Sequence, residues 1–152
     1  MILLVGGTGC LGRALGRRLL ARGASVRLRS RSPSAAADLA SAGAQVVGGD
    51  LRDPASVARA CEGVGQVVAA AHGLFARDPA VVDLQGSRTL IDTAHAAGAR
   101  RFVLVSVAGV RADHPFDFFR NKRLAELHLE KSGLPFTIVR AGAFMEFWAT
   151  LL

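Results

Sequence analysis

Three glycines at intervals of three residues, Gly6, Gly9 and Gly12, follow the apolar segment 1–5 and open a segment whose leucines have helical spacing. Between a strand and a helix, the first glycine permits a tight turn, the second admits a phosphate, and the third lets the helix pack on its strand. The amino end of the helix adds unpaired N–H groups and about half a positive charge. The loop therefore predicts a dinucleotide-binding unit. The loop residues expected to contact the cofactor are Gly6, Thr8, Gly9, Cys10, Leu11 and Gly12.

Short apolar runs alternate with longer Ala-, Leu- and Arg-rich segments along the rest of the chain, and this alternation predicts a parallel sheet with crossover helices. The predicted strands are 1–5, 25–29, 45–48, 66–70, 101–106 and 136–139, and the predicted helices are 11–22, 34–42, 54–61, 79–97 and 117–132. With 152 residues, one α/β Rossmann-type domain with a doubly wound sheet is expected.

The joins between these segments carry glycine and proline where helices should end and begin. Glycine suits the left-handed position after a helix, and proline suits the first helical position after a capping side chain. The predicted helix stops are Gly23, Gly43, Gly98 and Gly133, and the predicted starts are Ser32-Pro33 and Asp53-Pro54.

The second predicted strand ends in segment 27–32, which lacks the carboxylate that NAD-specific domains place there for the ribose hydroxyls. Arginine offers a 2′-phosphate a planar, permanently charged fork, and serine offers a hydroxyl group. Arg31 is the first candidate and Arg29 the second, with Ser30 between them. They predict NADP(H), with NAD(H) less favoured. Strand alternation places Arg27 and Arg29 on one face, so ordinary solvated arginines are the alternative.

After the third predicted strand, Asp50 and Leu51 are expected at the adenine, the acid as acceptor for its amino group and the leucine against its ring. The alternative for Asp50 is a cap on the next helix, a role that we assign to Asp53.

Charge and cysteine content exclude several classes of partner. The formal net charge is +7, but the arginines are scattered without a long run, so no nucleic acid is expected. Cys10 and Cys61 are too isolated for a disulfide framework or a metal site, so a cytoplasmic protein is expected. No apolar run approaches the roughly 20 residues of a membrane span, so no membrane partner is expected.

Five segments carry a combined pattern that is far more specific than the glycines alone. They read LVGGTGCLG at 4–12, GDL at 49–51, DLQGS at 83–87, AGARRFVLVS at 97–106 and SGLPFTIVR at 132–140. Together they resemble the atypical short-chain dehydrogenases/reductases, particularly the NAD(P)H-binding NmrA-like and isoflavone-reductase-like branch. The resemblance covers essentially the whole chain.

This resemblance implies a sheet order of 3-2-1-4-5-6 with the cofactor across the carboxyl ends of the strands. It implies that Ala70 and Ala71 lie near the adenosine ribose, and that Ser106 and Ala141 lie near the nicotinamide half. Lys122 takes the position of the family's lysine, which hydrogen-bonds the nicotinamide ribose.

Lys122 also has an alternative interpretation as a helix lysine paired with Glu126 at i+4. Four residues before it, where the common dehydrogenases have a tyrosine that protonates the carbonyl oxygen, this chain has Phe118. The chain contains no tyrosine. The resemblance to reductases without this tyrosine implies that Lys122 or Ser106 serves as the proton donor, and these two are the predicted catalytic residues. His72, after the fourth strand, is a weaker acid–base candidate.

The sequence thus predicts hydride transfer between NADPH and a small carbonyl or quinone-like substrate. One alternative is a regulatory domain that senses NADP(H) without turnover and docks another protein. A sugar-nucleotide epimerase or dehydratase, which generally relies on the missing tyrosine, and a purely structural domain are further alternatives. The apolar end, 141–152, is expected to pack against a second subunit or against a substrate-binding region that this chain lacks.

Overall fold

The structure, a computed structural model, describes residues 1–73, 80–142 and 144. Among these residues, six strands form one parallel sheet. Their bounds are β1 Ile2–Val5, β2 Val26–Ser30, β3 Gln45–Gly48, β4 Gln66–Ala69, β5 Arg101–Val107 and β6 Phe136–Ala141. The sheet order is β3-β2-β1-β4-β5-β6, which confirms the predicted fold class and strand order.

Helices cover both faces of the sheet. In the described residues the α-helices are α1 Cys10–Ala21, α2 Ala37–Ser41, α3 Pro54–Cys61, α4 Ser87–Ala96 and α5 Asp117–Glu130. Side chains alternate across β1, so that Leu4 joins the cluster under α1 and α2 while Leu3 and Val5 join the cluster under α3, α4 and α5. Because both faces are covered, β1 is apolar throughout.

Most of the predicted helix boundaries are confirmed. Asp53 caps α3 by accepting a hydrogen bond from the N–H of Ala55 at 3.0 Å. The four predicted stop glycines all have positive φ, between 75° and 101°. The predicted start at Ser32-Pro33 is also confirmed, with Ser32 as N-cap and Pro33 at the first helical position, but the Ser32 side chain makes no capping bond. The hydroxyl of Ser30 instead accepts from the N–H of Ser32 and donates to its carbonyl.

Two predicted helices are each divided in the structure. Segment 34–42 begins as a 3₁₀ helix at Pro33–Ala36 before α2. Segment 79–97 begins, within the described residues, with a π-helix at Val81–Gly86 before α4. π-Helical turns are rare and often occur at functional sites.

In the described part of the chain, no helix has the length and apolar character needed to cross a bilayer. Most of the apolar end, residues 143 and 145–152, lies outside the described residues, and so does the prediction about what it packs against.

Candidate functional site

A cleft of about 620 Å³ lies at the carboxyl ends of the four strands β1 to β4. Its volume is in the range of small-molecule and cofactor sites. It is lined by Gly6, Thr8, Gly9, Arg29, Ser30, Arg31, Asp50, Leu51, Arg52, Ala70, Ala71, His72, Val81 and Val82. Of the predicted site residues, this lining leaves out Cys10, Leu11, Gly12, Ser106, Lys122 and Ala141.

The glycines of the first loop make room at the floor of this cleft. Gly6 has φ +86°, and a Cβ there would lie 2.6 Å from the backbone nitrogen of Ala71. A Cβ on Gly12 would lie 2.2 Å from the carbonyl oxygen of Gly6, so α1 starts in close contact with the loop. Gly9 forms the N-cap of α1 without a side chain to cap it. The amino end of α1 is therefore available to bind an anion.

Charged residues from β2 and from the loop after β3 surround one end of the cleft. Arg31 is exposed and Ser30 is buried. Asp50 accepts hydrogen bonds from the backbone N–H, Nε and Nη2 of Arg52 at 2.9, 3.0 and 2.6 Å. These bonds from Arg52 lower the pKa of Asp50 to about 2, against the opposing effect of desolvation. Asp50 therefore stays ionised at neutral pH. The capping alternative for it is wrong, because Asp53 caps α3.

Arg27 and Arg29 share one face of β2 but have different surroundings, and neither is a solvated surface arginine. Arg27 donates to the side chain of Gln45 at 2.8 Å and to the carbonyls of Ala60 and Glu62 at 2.9 and 2.5 Å. Arg29 is only 6% exposed, and no described residue accepts a hydrogen bond from its buried Nε or Nη1. Burial lowers the pKa of Arg29.

Apolar residues form the opposite wall. Leu51 is buried, and it packs so closely on the π-helix that a Cβ on Gly86 would lie 2.8 Å from the Cβ of Leu51. Val81 and Val82, on the same π-helix, were not predicted as site residues. An apolar wall beside a charged end suits an aromatic base next to phosphate.

Lys122 lies outside the cleft lining and is only 3% exposed. Its ammonium group donates to the carbonyl of Ala71 at 2.9 Å and lies 3.0 Å from a carboxylate oxygen of Asp83. The alternative interpretation, a pair with Glu126, is therefore wrong. Asp83, fully buried, also accepts the N–H of Gly73 at 3.1 and 3.0 Å. The prediction missed Asp83, although an acid in the apolar run 80–84 was a signal for a buried partner.

The remaining catalytic candidates lie near α5. Ser106 is buried at the end of β5, and its hydroxyl interacts with the carboxylate of Glu126 on α5. The ring of Phe118 has its centroid 5.9 Å from Nζ of Lys122. His72 lines the cleft, and its pKa is lowered by desolvation and by the charge of Lys122. His72 is thus neutral at physiological pH, which disfavours it as an acid.

The residues present fit a dinucleotide in two respects. The loop backbone forms a cradle that side chains at Gly6 or Gly12 would fill. The cleft wall also contains the buried guanidinium of Arg29, whose Nε and Nη1 have no acceptor among the described residues. The assignment of individual residues to cofactor contacts stays a prediction.

Comparison with known proteins places these features in context. A family model described as NAD(P)H-binding matches residues 6–150. NAD(P)H azoreductase of Xenophilus azovorans is 33% identical over 147 residues, which cover 96% of this chain and 49% of that protein. Photosystem II assembly factor Ycf39 of Cyanophora paradoxa is 34% identical over 148 residues, which cover 95% of this chain and 46% of that protein.

A solved structure supplies a further likeness. The NADPH-dependent quinone oxidoreductase QOR2 of Escherichia coli, complexed with NADPH, superposes with a TM-score of 0.81 at 26% identity. The superposition covers 99% of this chain and 52% of that one. The chain spans about half the length of the curated relatives it matches.

Proposed function

We propose a function from the premise that the chain belongs to the NAD(P)H-binding family of the atypical short-chain dehydrogenases/reductases. The proposed function is to bind NADPH in preference to NADH and to reduce a quinone-like acceptor. The observation that carries this proposal is the charge of the cleft at the end of β2. Arg29, Arg31 and Arg52 line it together with Asp50, whose carboxylate is already paired with Arg52.

The preference for NADPH follows from what a 2′-phosphate would meet there. Arg31 is exposed in the cleft and has no ion pair within the described residues, so its guanidinium is available to a phosphate. An NAD-specific site would instead present a free carboxylate to the ribose hydroxyls. Because the carboxylate of Asp50 is paired with Arg52, positive charge stays in excess at this end of the cleft.

The absence of a tyrosine favours a particular class of acceptor. Bound NADPH supplies a hydride from its nicotinamide ring. A simple ketone needs a proton donor at its oxygen as it is reduced, and Phe118 offers none. A quinone spreads the resulting negative charge over its conjugated system, so water can protonate it afterwards. The names of an azoreductase and a quinone oxidoreductase among the similar proteins agree with conjugated acceptors.

Lys122 has a positioning role in this proposal. Its ammonium is bound by Ala71 and Asp83, and these contacts hold the loop after β4 against α5. The loop contributes Ala70 and Ala71 to the cleft wall, so Lys122 acts on the cofactor site through that wall. A proton donated from Lys122 would leave Asp83 as a buried carboxylate without its counterion.

The test combines binding and turnover on the 152-residue chain. We expect NADPH to bind at least about tenfold more tightly than NADH, a difference of roughly 1.4 kcal/mol. Arg31→Gln should remove most of that preference, whereas Arg18→Gln, an exposed arginine on α1 away from the cleft, should leave it unchanged. With NADPH, quinones and azo dyes should be reduced faster than simple aldehydes and ketones. Equal affinity for the two nucleotides, or faster turnover of simple ketones, would contradict the proposal.

A second candidate is a domain that binds NADP(H) without turnover and supports an assembly step. It is favoured by Phe118 in the tyrosine position and by the likeness to assembly factor Ycf39. Tight NADPH binding with no oxidation of NADPH by any acceptor in the panel would favour this candidate over a reductase.

A further inference from the structure

Four aromatic side chains gather in the loop before α5 and in its first turn, outside the cleft lining. They are His114, Phe116, Phe118 and Phe119, which we call the aromatic platform. The rings of His114 and Phe119 are stacked, with their centroids 4.4 Å apart and their planes 24° from parallel. Phe118 meets Phe119 edge to face at 5.5 Å, and the ring of Phe116 lies 5.7 Å from that of His114. The four rings therefore form one continuous surface.

The aromatic platform is not part of the core. None of its members is buried, Phe116 is 69% exposed, and neither buried cluster of the described residues includes any of them. Adjacent apolar rings in contact with water forgo the stabilisation that burial would give them. An apolar patch of this kind marks a binding surface for another molecule.

Two hydrogen bonds hold the aromatic platform in place without a ligand. The N–H of Phe116 donates to Nδ1 of His114 at 3.1 Å, and Nη1 of Arg120 donates to the carbonyl of His114 at 2.9 Å. The stack of His114 on Phe119 then fixes the loop against α5. Because the rings are already in position, less conformational entropy is lost when a ligand binds.

Lys122 connects the aromatic platform to the cleft. Its Nζ donates to the carbonyl of Ala71 in the cleft wall at 2.9 Å and lies 5.9 Å from the ring centroid of Phe118. Ala69 pairs with Leu104, so β4 and β5 run side by side and the loops after them are neighbours. A dinucleotide with its adenosine at the end of β2 would extend along the strand order toward β4 and β5. Its nicotinamide end would therefore face the aromatic platform.

We propose that the aromatic platform is the acceptor site and that it binds planar conjugated rings by stacking on Phe119 and its neighbours. The inference deepens the proposed function and rests on it. Phe118 contributes an apolar ring at a position where the acceptor would have to strip water from a tyrosine hydroxyl. A quinone held here takes a hydride from NADPH and a proton from water, and the products are the hydroquinone and NADP⁺.

The experiment titrates two sulfonates into the protein saturated with NADP⁺, which cannot donate a hydride, so that calorimetry measures binding alone. Anthraquinone-2-sulfonate has a planar conjugated ring system, and cyclohexanesulfonate has the same charge on a saturated ring. We expect the first to bind at least about tenfold more tightly than the second. Turnover of anthraquinone-2-sulfonate with NADPH is measured in parallel.

Substitution by leucine removes a ring and keeps an apolar side chain. Phe119→Leu should weaken binding of anthraquinone-2-sulfonate and raise its KM by about tenfold, with the affinity for NADPH changed less than about twofold. Phe116→Leu, at an exposed position, should weaken binding about threefold, and Phe119→Tyr should restore it to within about twofold of wild type. The matched control is Phe136→Leu, which should leave all three constants unchanged because Phe136 is 43% exposed at the amino end of β6.

The outcomes separate the aromatic platform from the proposed reductase. Unchanged affinity for anthraquinone-2-sulfonate in both Phe116→Leu and Phe119→Leu would overturn the inference and leave the proposed function intact. Equal losses in Phe119→Leu and Phe136→Leu would also overturn it, since the quinone would then bind apolar surface at large. Wild-type protein that binds the quinone but oxidises no NADPH would refute the reductase, while loss of that binding in Phe119→Leu would still support stacking on the aromatic platform.

Discussion

Gly12 and Gly9 differ in the atoms that an added methyl group would contact. Alanine substitutions at the two positions should therefore separate the packing of α1 on the loop from the binding of the cofactor. At Gly12 the Cβ would lie 2.2 Å from a backbone oxygen, which cannot move without shifting the loop. We expect Gly12→Ala to lower the free energy of unfolding by about 1–3 kcal/mol. At Gly9 the nearest atom is 3.4 Å away and φ is −75°, so the stability of Gly9→Ala should stay within about 0.5 kcal/mol of wild type.

The same variant should weaken cofactor binding, because the methyl group of Gly9→Ala enters the cleft where phosphate is expected. An increase in the dissociation constant of NADPH of about tenfold corresponds to roughly 1.4 kcal/mol. Urea unfolding and fluorescence titration measure the two effects separately. A Gly12→Ala protein as stable as wild type would show that the loop and α1 are not in close contact.

Among single residues, those with local roles could be predicted from sequence. Gly12 and the cap Asp53 act on backbone within a few residues, so their spacing was informative. The partner of Lys122 could not be predicted in this way. It depends on how the π-helix places Asp83 against α5, and helical periodicity pointed to Glu126 instead.

At the scale of elements, a buried carboxylate joins α5 to β6. Glu126 is fully buried and accepts hydrogen bonds from Nε and Nη2 of Arg140 on β6 at 3.0 and 2.7 Å. Arg123 donates to Glu126 at 2.9 Å and to Glu130 at 2.8 Å. Burial alone would raise the pKa of Glu126, but the interactions with Arg140, Ser106 and Arg123 outweigh it and lower the pKa.

Removal of this carboxylate should therefore detach β6 from α5. We expect Glu126→Gln to lower the free energy of unfolding at pH 7 by about 2 kcal/mol, less than for a fully buried pair because Arg140 is half exposed. Since the pKa is lowered, the contribution is present above about pH 4.3 and is lost as the pH falls through the lowered value.

The matched control is Glu130→Gln, which removes an exposed acid from the same helix and should cost less than about 0.5 kcal/mol. Urea unfolding from pH 7 down to about pH 2.5, below the lowered pKa, compares the three proteins. Equal stability of the Glu126 and Glu130 variants at pH 7 would contradict the buried role of Glu126.

Element types and their order were predictable, while two internal irregularities were not. The π-helix at Val81–Gly86 falls in a segment with ordinary helical periodicity. Its geometry serves contacts made by distant residues, namely the approach of Gly86 to Leu51 and the bonds of Asp83 to Gly73 and Lys122. Hydrophobic periodicity indicates which face of a segment is apolar, but it does not predict contacts with distant residues.

At the scale of the whole molecule, the sheet order follows from few constraints. Apolar runs too short to be helices had to be strands, the segments between them were long enough for crossovers, and parallel crossovers are right-handed. The glycine loop at β1 then located the cleft beside the central strand, where the order of the strands reverses.

The net charge of +7 acts on any anionic nucleotide, whereas the preference for NADPH depends on groups at one end of the cleft. Salt should separate the two contributions. Because the Debye length falls from about 10 Å at 0.1 M to about 3 Å at 1 M salt, raising NaCl from about 0.05 to 0.5 M should weaken both NADPH and NADH. The ratio of their affinities should fall by only about threefold, through the exposed Arg31, while the buried Arg29 is screened much less. In Arg31→Gln the remaining ratio should be nearly independent of salt. If that ratio instead fell as steeply as in wild type, the salt-sensitive part of the preference would come from the overall field and not from Arg31.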